Sequence, residues 1–123
     1  METLCQIRDI YRSIAEFEMQ FEKVYDLCLN EGMLLCTLSK VEKLTSGQLA
    51  ELMGLSLSNT SKVIKEVENK GLIMRLLGNT DKRQMYFSLT PAGKKKLDSI
   101  KSAEIELPDL LRVVVDKYSI HCN

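Results

Sequence analysis

The sequence predicts a mainly α-helical fold with one small β-hairpin, arranged as a winged helix-turn-helix. Three observations lead to this fold class: two helical segments joined at Gly54, an alternating pattern after Gly71, and helical apolar spacing towards both ends. A glycine-joined helix pair followed by a hairpin is the winged form of the helix-turn-helix motif. At 123 residues, the chain is long enough for a single domain with one core.

The first predicted element is a long helix over residues 2–29, because apolar residues recur there every three to four positions. Its stripe contains Leu4, Ile7, Tyr11, Ile14, Phe21, Tyr25 and Cys28. Asn30-Glu31-Gly32 is predicted to end this helix with Gly32 as the C-cap, and residues 33–41 are predicted to form a second, buried helix. The long stripe exceeds what one small core covers, so we expect part of it to pair with a second subunit.

Two capped segments predict the helix-turn-helix itself. Thr45 and Gln48 form a capping-box pattern that opens a short helix, which Gly54 ends. The next helix covers Ser56–Gly71, with Ser56 as the N-cap and Gly71 as the stop. One of its sides is apolar, and the opposite side is short, polar and lysine-bearing, as a helix in the DNA major groove requires. A solvated helix face would show the same pattern.

After this helix, the spacing of the apolar residues changes from three or four positions to two, which predicts a β-hairpin. Residues 72–77 and 84–89 form the two strands around a turn at 78–81 that brings Asp81, Lys82 and Arg83 to its tip. Thr90 and Pro91 restart a helix as N-cap and first helical residue. A break at Leu107-Pro108 precedes a final apolar helix.

The distribution of charge along the chain, together with the motifs, favours a nucleic-acid-binding protein over an enzyme. The net charge is zero, but residues 1–31 carry a net charge of −4 and residues 56–101 carry +6, which suits a local phosphate-binding surface. We find no catalytic constellation, phosphate loop or metal-ligand spacing, and therefore expect no enzymatic activity, no cofactor and no metal.

The cysteines are predicted to be free thiols. No apolar run could form a signal peptide or a membrane span, so we expect a cytoplasmic protein without a membrane partner.

Three segments together resemble the MarR family of winged helix-turn-helix transcriptional regulators. They are LTSGQLAELMGLSLSNTSKVIKEVENKGLIMR, then DKR, then LTPAGKKKL, which span about residues 33–100. The resemblance implies a homodimer whose N- and C-terminal helices interlock, here residues 1–31 and 102–123, around a DNA-binding lobe at 32–101. It also implies recognition helices in successive major grooves and wing arginines in the flanking minor grooves.

The resemblance also assigns roles to residues. Ser58, Asn59, Ser61 and Lys62 match the base- or phosphate-facing part of the recognition helix, and Lys65 lies farther along the same face. Arg83 matches the wing-tip arginine, and Asp81 matches the carboxylate that holds it. For the lysine run 94–96, phosphate contact and a solvated face both remain open.

We therefore expect a sequence-specific regulator of transcription, a homodimeric repressor that binds a pseudo-palindrome in double-stranded DNA. The alternative is a winged-helix module that assembles with proteins and does not bind DNA. The resemblance implies that a small-molecule effector or oxidation alters DNA affinity. Cys5 is the candidate redox thiol, although an inert thiol is the more common state. The candidate ligand pocket is formed by Tyr11, Phe17, Phe21 and Tyr25 with the second helix, and this junction could equally be plain core.

Overall fold

The computed structural model of the chain describes residues 2–78, 83–103 and 105–119. These residues form six helices and one two-stranded antiparallel sheet, which confirms the predicted fold class. In chain order the elements are α1 (Glu2–Tyr25), α2 (Leu29–Lys40), α3 (Ser46–Met53), α4 (Leu57–Asn69), β1 (Ile73–Leu77), β2 (Met85–Leu89), α5 (Pro91–Ser102) and α6 (Asp109–Ser119). None of the helices described is both long and apolar enough to cross a membrane.

The chain divides into two compact units. One contains α1 and α6, which contact each other, and the other contains residues Leu29–Ala103 with all the remaining elements. In the first unit, many apolar side chains of both helices are exposed: Leu4, Ile7, Tyr11, Ile14, Met19, Val24, Leu110, Val113, Val114, Val115 and Tyr118.

The second unit has a continuous apolar core. Helices α2, α3 and α4 pack against one another, and the sheet and α5 pack on α2. The most deeply buried side chains here are Leu34, Leu35, Leu49, Thr60 and Val67. In the sheet, Ile73 pairs with Leu89 and Leu77 pairs with Met85.

The boundary between the first two helices was predicted wrongly. Helix α1 ends at Tyr25, because Asp26 adopts a left-handed backbone with φ of 56°, a conformation that Asp tolerates better than most residues. Gly32 therefore ends no helix and lies buried inside α2. The second helix is also less buried than expected, since Met33 and Val41 are exposed.

Candidate nucleic-acid interface

The two helices of the helix-turn-helix are joined at Gly54. Its φ of 67° is left-handed, and the amides of Gly54 and Leu55 donate to the carbonyls of Glu51 and Ala50 at 3.3 and 3.0 Å. These bonds close the end of α3 before α4 begins three residues later. At the start of α3, Thr45 and Gln48 make both hydrogen bonds of the predicted capping box.

Helix α4 is held at both ends by the residues that the sequence indicated. The Ser56 hydroxyl accepts from the Asn59 amide at 3.1 Å, and the Ser56 carbonyl accepts from Thr60 Oγ1 at 2.8 Å. At the other end, Gly71 has φ of 75°, and the amides of Gly71 and Leu72 donate back to carbonyls in the last turn. The predicted N-cap and glycine stop are confirmed.

The two faces of α4 differ completely in exposure. Its buried side chains are Thr60, Val63, Ile64 and Val67. The five candidate DNA-contacting residues of this helix are all exposed: Ser58, Asn59, Ser61, Lys62 and Lys65. Because the apolar side is buried in the core, these five residues lie on the side of α4 that a ligand can reach. We call these five residues the α4 polar face.

Both strands of the hairpin end at the predicted residue and begin one residue later than predicted. Arg83 is exposed and lies in the turn that enters β2. Asp81, its expected carboxylate partner, lies outside the described residues. Of the lysine run on α5, Lys94 and Lys95 are exposed, and Lys96 is partly buried.

A third, very short segment that was not predicted from the sequence extends the sheet. Leu44 forms an isolated antiparallel bridge with Phe87, with N···O distances of 3.1 and 2.8 Å between their backbones. The available signal was the apolar residue just before the Thr45 cap and another, Leu49, at the fourth helical position, which is the hydrophobic-staple pattern. Both side chains are buried.

Two ion pairs connect the last turn of α4 to other elements. Arg75 on β1 donates from Nε and Nη2 to the Glu68 carboxylate at 2.6 and 3.0 Å. This hydrogen bond, reinforced by the attraction between the charges, raises the pKa of Arg75 above the usual arginine value. Lys70 donates to both carboxylate oxygens of Glu31 on α2 at 3.2 Å, and Glu31 is buried.

The other candidate residues lie in the unit formed by α1 and α6. Cys5 is exposed. Phe21 and Tyr25 are buried and their ring centroids are 5.0 Å apart, and Phe17 lies 6.0 Å from Phe21. Tyr11 is 72% exposed and stands apart from this aromatic row. The Tyr25 hydroxyl is buried without a hydrogen-bond partner among the described residues.

Known proteins share both the sequence pattern and the fold. Residues 27–85 match the MarR family. The uncharacterized HTH-type transcriptional regulator YwaE of Bacillus subtilis is 26% identical over 104 residues, which cover 81% of this chain and only 61% of YwaE. The HTH-type transcriptional regulator SarV of Staphylococcus aureus is 27% identical over 100 residues, which cover 78% of this chain and 85% of SarV.

Solved structures with the same fold include two DNA complexes. A cysteine-to-serine mutant of MarR from E. coli, complexed with operator DNA, superposes with a TM-score of 0.70 at 19% identity and covers 80% of this chain and 72% of its own. The MepR–DNA complex from S. aureus has a TM-score of 0.65 at 21% identity, with 96% of this chain and 98% of that chain covered. The family indicated by the three sequence segments is thereby confirmed over residues 27–85, which form a MarR-family domain with the winged helix-turn-helix fold.

Proposed function

We propose that this chain is a sequence-specific, DNA-binding regulator of transcription that acts as a homodimeric repressor. The observation that carries the proposal is the exposed α4 polar face, held between the Gly54 turn and the hairpin that bears Arg83. The names of YwaE and SarV, and the DNA in the MarR and MepR structures, support the same role. Such a regulator works where the genome is, in the cytoplasm.

In the proposed complex, α4 enters the major groove with its capped end first. Ser58, Asn59 and Ser61 are short donors and acceptors that suit base edges, whereas Lys62 and Lys65 suit phosphates. The free amides and the positive end of the helix dipole at this terminus add attraction for the DNA backbone. Arg83 would enter the adjacent minor groove, where the negative potential is concentrated, with Asp81 as its proposed support.

The proposed dimer forms through the helices of the smaller unit. The exposed apolar side chains of α1 and α6 are costly to leave in water, and a second copy offers the same surface for a symmetric interface. A two-fold dimer with one recognition helix per subunit reads half-sites about 10 bp apart. Sedimentation showing a monomer at micromolar concentration would contradict this assembly.

An effector or oxidation would modulate the affinity for DNA. The aromatic row Phe17, Phe21 and Tyr25 is the proposed ligand region, because a buried hydroxyl without a partner gains a hydrogen bond when a polar ligand atom reaches it. Tyr11 is too exposed to line that region on its own. Cys5 is the proposed redox thiol, and peroxide should change the DNA affinity of the wild type but not of Cys5→Ser.

The direct test is selection of genomic fragments that bind the protein, followed by titration of the recovered site at several salt concentrations. We expect the affinity to fall steeply as salt rises, because each neutralised phosphate releases counterions. Lys62→Ala and Arg83→Ala should weaken binding without unfolding the protein. Lys23→Ala, which removes an exposed lysine from α1, is the charge-matched control.

The outcomes separate the two functional hypotheses. Unchanged affinity in Lys62→Ala and Arg83→Ala would contradict the assigned contacts. Failure to enrich any DNA fragment would favour the alternative of a winged-helix module for protein assembly. An affinity for the recovered fragments that barely changes with salt would favour the same alternative.

A further inference from the structure

Three side chains outside the α4 polar face connect the hairpin to α4. Arg75 and Phe87 are direct cross-strand partners, and the Arg75 guanidinium lies over the Phe87 ring at 5.6 Å from its centroid. The same guanidinium makes its two hydrogen bonds to Glu68 in the last turn of α4. We propose that Glu68, Arg75 and Phe87 form a brace that positions the wing for its contact with DNA. The proposal rests on the proposed function.

The inner end of the hairpin is anchored in the core by Ile73, Phe87 and Leu89. Its outer part needs such a support, because Leu76 and Leu77 are exposed and a two-stranded ribbon without packing is marginally stable. On the outer side of β2, the Leu44 bridge fixes the backbone at Phe87. On the side of β1, the ion pair between Arg75 and Glu68 joins this strand to α4. Both attachments meet at the same cross-strand pair, so this pair is the point about which the outer hairpin would turn.

Geometry makes the wing tip sensitive to this point. Arg83 is four residues from Phe87 along the chain, or about 13 Å at the rise of an extended strand. Turning the hairpin by about 10° at the brace would therefore move Arg83 by about 2 Å. Hydrogen-bond distances vary by only about 0.5 Å, so such a turn removes a minor-groove contact while the α4 polar face stays in place.

Arginine is better suited to this position than lysine. Its planar group can donate two parallel bonds to a carboxylate and stack on an aromatic ring at the same time. The pair is also partly exposed, with side-chain exposures of 53% for Arg75 and 27% for Glu68. Ion pairs of this kind add little to folding stability, so the brace can be removed from a protein that remains folded.

The test uses Arg75→Lys, which keeps the positive charge but not the two-bond, stacked geometry. The measurements are affinity for an operator with and without its flanking base pairs, hydroxyl-radical protection of the flanking minor groove, the salt slope, and the melting temperature. We expect Arg75→Lys to lower affinity for the full operator roughly 3- to 10-fold, near the lower end of the roughly 5- to 160-fold loss of a deleted arginine–DNA contact. Flank protection should disappear and the salt slope should become slightly less steep, because fewer counterions are released without the wing-tip contact. The melting temperature and the affinity for the trimmed operator should stay unchanged.

A second pair of variants controls for charge on α4. Glu68→Gln removes the carboxylate of the brace, and Glu66→Gln removes the same charge from an exposed neighbour on the same helix. Glu68→Gln should reproduce the loss of flank protection, and Glu66→Gln should not. In the Arg83→Ala background, Arg75→Lys should cause no further loss, because the brace acts only through the wing tip.

Each alternative result has a distinct meaning. If the losses of Arg75→Lys and Arg83→Ala multiply in the double variant, or if flank protection persists in Arg75→Lys, the brace is refuted and the proposed function stands. If Arg75→Lys lowers the melting temperature and both operator affinities together, the residue serves folding and the brace is likewise refuted. If the wild type binds no DNA, the proposed function fails first and the brace fails with it.

Discussion

Gly93→Ala should be severely destabilising, because Gly93 lies where helix α5 meets the chain segment between α4 and β1. A Cβ atom at this position would lie 2.0 Å from the carbonyl oxygen of Leu72 and 3.0 Å from its carbonyl carbon. Carbon and oxygen atoms that are not bonded rarely approach closer than about 3.2 Å. The two backbone segments must therefore separate by more than an ångström, which no side-chain rotation can provide.

The separation would break a local hydrogen-bond network. The Thr90 amide donates to the Leu72 carbonyl at 3.0 Å, and the Thr90 hydroxyl donates to the Gly71 carbonyl at 2.7 Å. Losing both costs about 2 kcal/mol at about 1 kcal/mol per bond. Moving the buried Leu97 away from its neighbours adds about 1–2 kcal/mol, the usual cost of overpacking. We expect a total loss of about 3–4 kcal/mol from the free energy of unfolding.

Urea denaturation followed by circular dichroism measures this loss as a lower midpoint. Gly47→Ala is the matched control, because its Cβ would meet only the Thr45 hydroxyl, at 4.0 Å. That change in α3 should be neutral or should stabilise the protein by up to about 1 kcal/mol. A Gly93→Ala protein within about 1 kcal/mol of the wild type would refute the close approach between α5 and Leu72.

Three further predictions concern the ends of α4 and the dimer. Ser56→Ala removes the cap of α4 and should cost about 1 kcal/mol in urea denaturation, and no loss would show that the cap is dispensable. Lys70→Met removes an ammonium partner of the buried Glu31 carboxylate and should cost about 2–3 kcal/mol, less than the roughly 3–5 kcal/mol of a fully buried pair because Lys70 is partly exposed. A midpoint equal to that of the wild type would contradict this ion pair. Ile7→Glu places a charge on the exposed apolar face of α1 and should shift the sedimenting species from dimer to monomer, and an intact dimer would exclude that face from the interface.

Local chemistry explains which parts of the fold could be read from the sequence. Ser56, Thr45 and Thr90 each accept a hydrogen bond from an amide three residues later, so residue type and spacing were enough to predict where their helices start. The residue type of Gly71 was enough to predict the end of α4, because glycine readily adopts the left-handed backbone found there. The polar and buried faces of that helix followed from its period alone.

Features that depend on distant parts of the chain were not predictable in this way. Gly32 was predicted to end the first helix, because glycine adopts a left-handed backbone more readily than other residues. The break occurs at Asp26 instead, and an aspartate does not by itself indicate a left-handed backbone in a sequence. The Leu44 bridge and the pair between Glu68 and Arg75 join residues that are 43 and 7 positions apart. Their partners become known only once the hairpin is placed against α4.

The segment after α4 contains two kinds of support that differ in their consequences. Thr90 accepts from the Gly93 amide and donates to the Gly71 carbonyl, so one side chain joins the start of α5 to the end of α4. At the same place, the backbone of Gly93 packs against the carbonyl group of Leu72. Loss of these contacts must lower the stability of the fold. Within the proposed brace, Phe87 is buried, whereas the ion pair between Arg75 and Glu68 is partly exposed and contributes little to folding. The contacts of Thr90 and Gly93 therefore serve stability, whereas the pair between Arg75 and Glu68 serves the proposed position of the wing, so that breaking this pair would change the angle of the wing while the core keeps its packing.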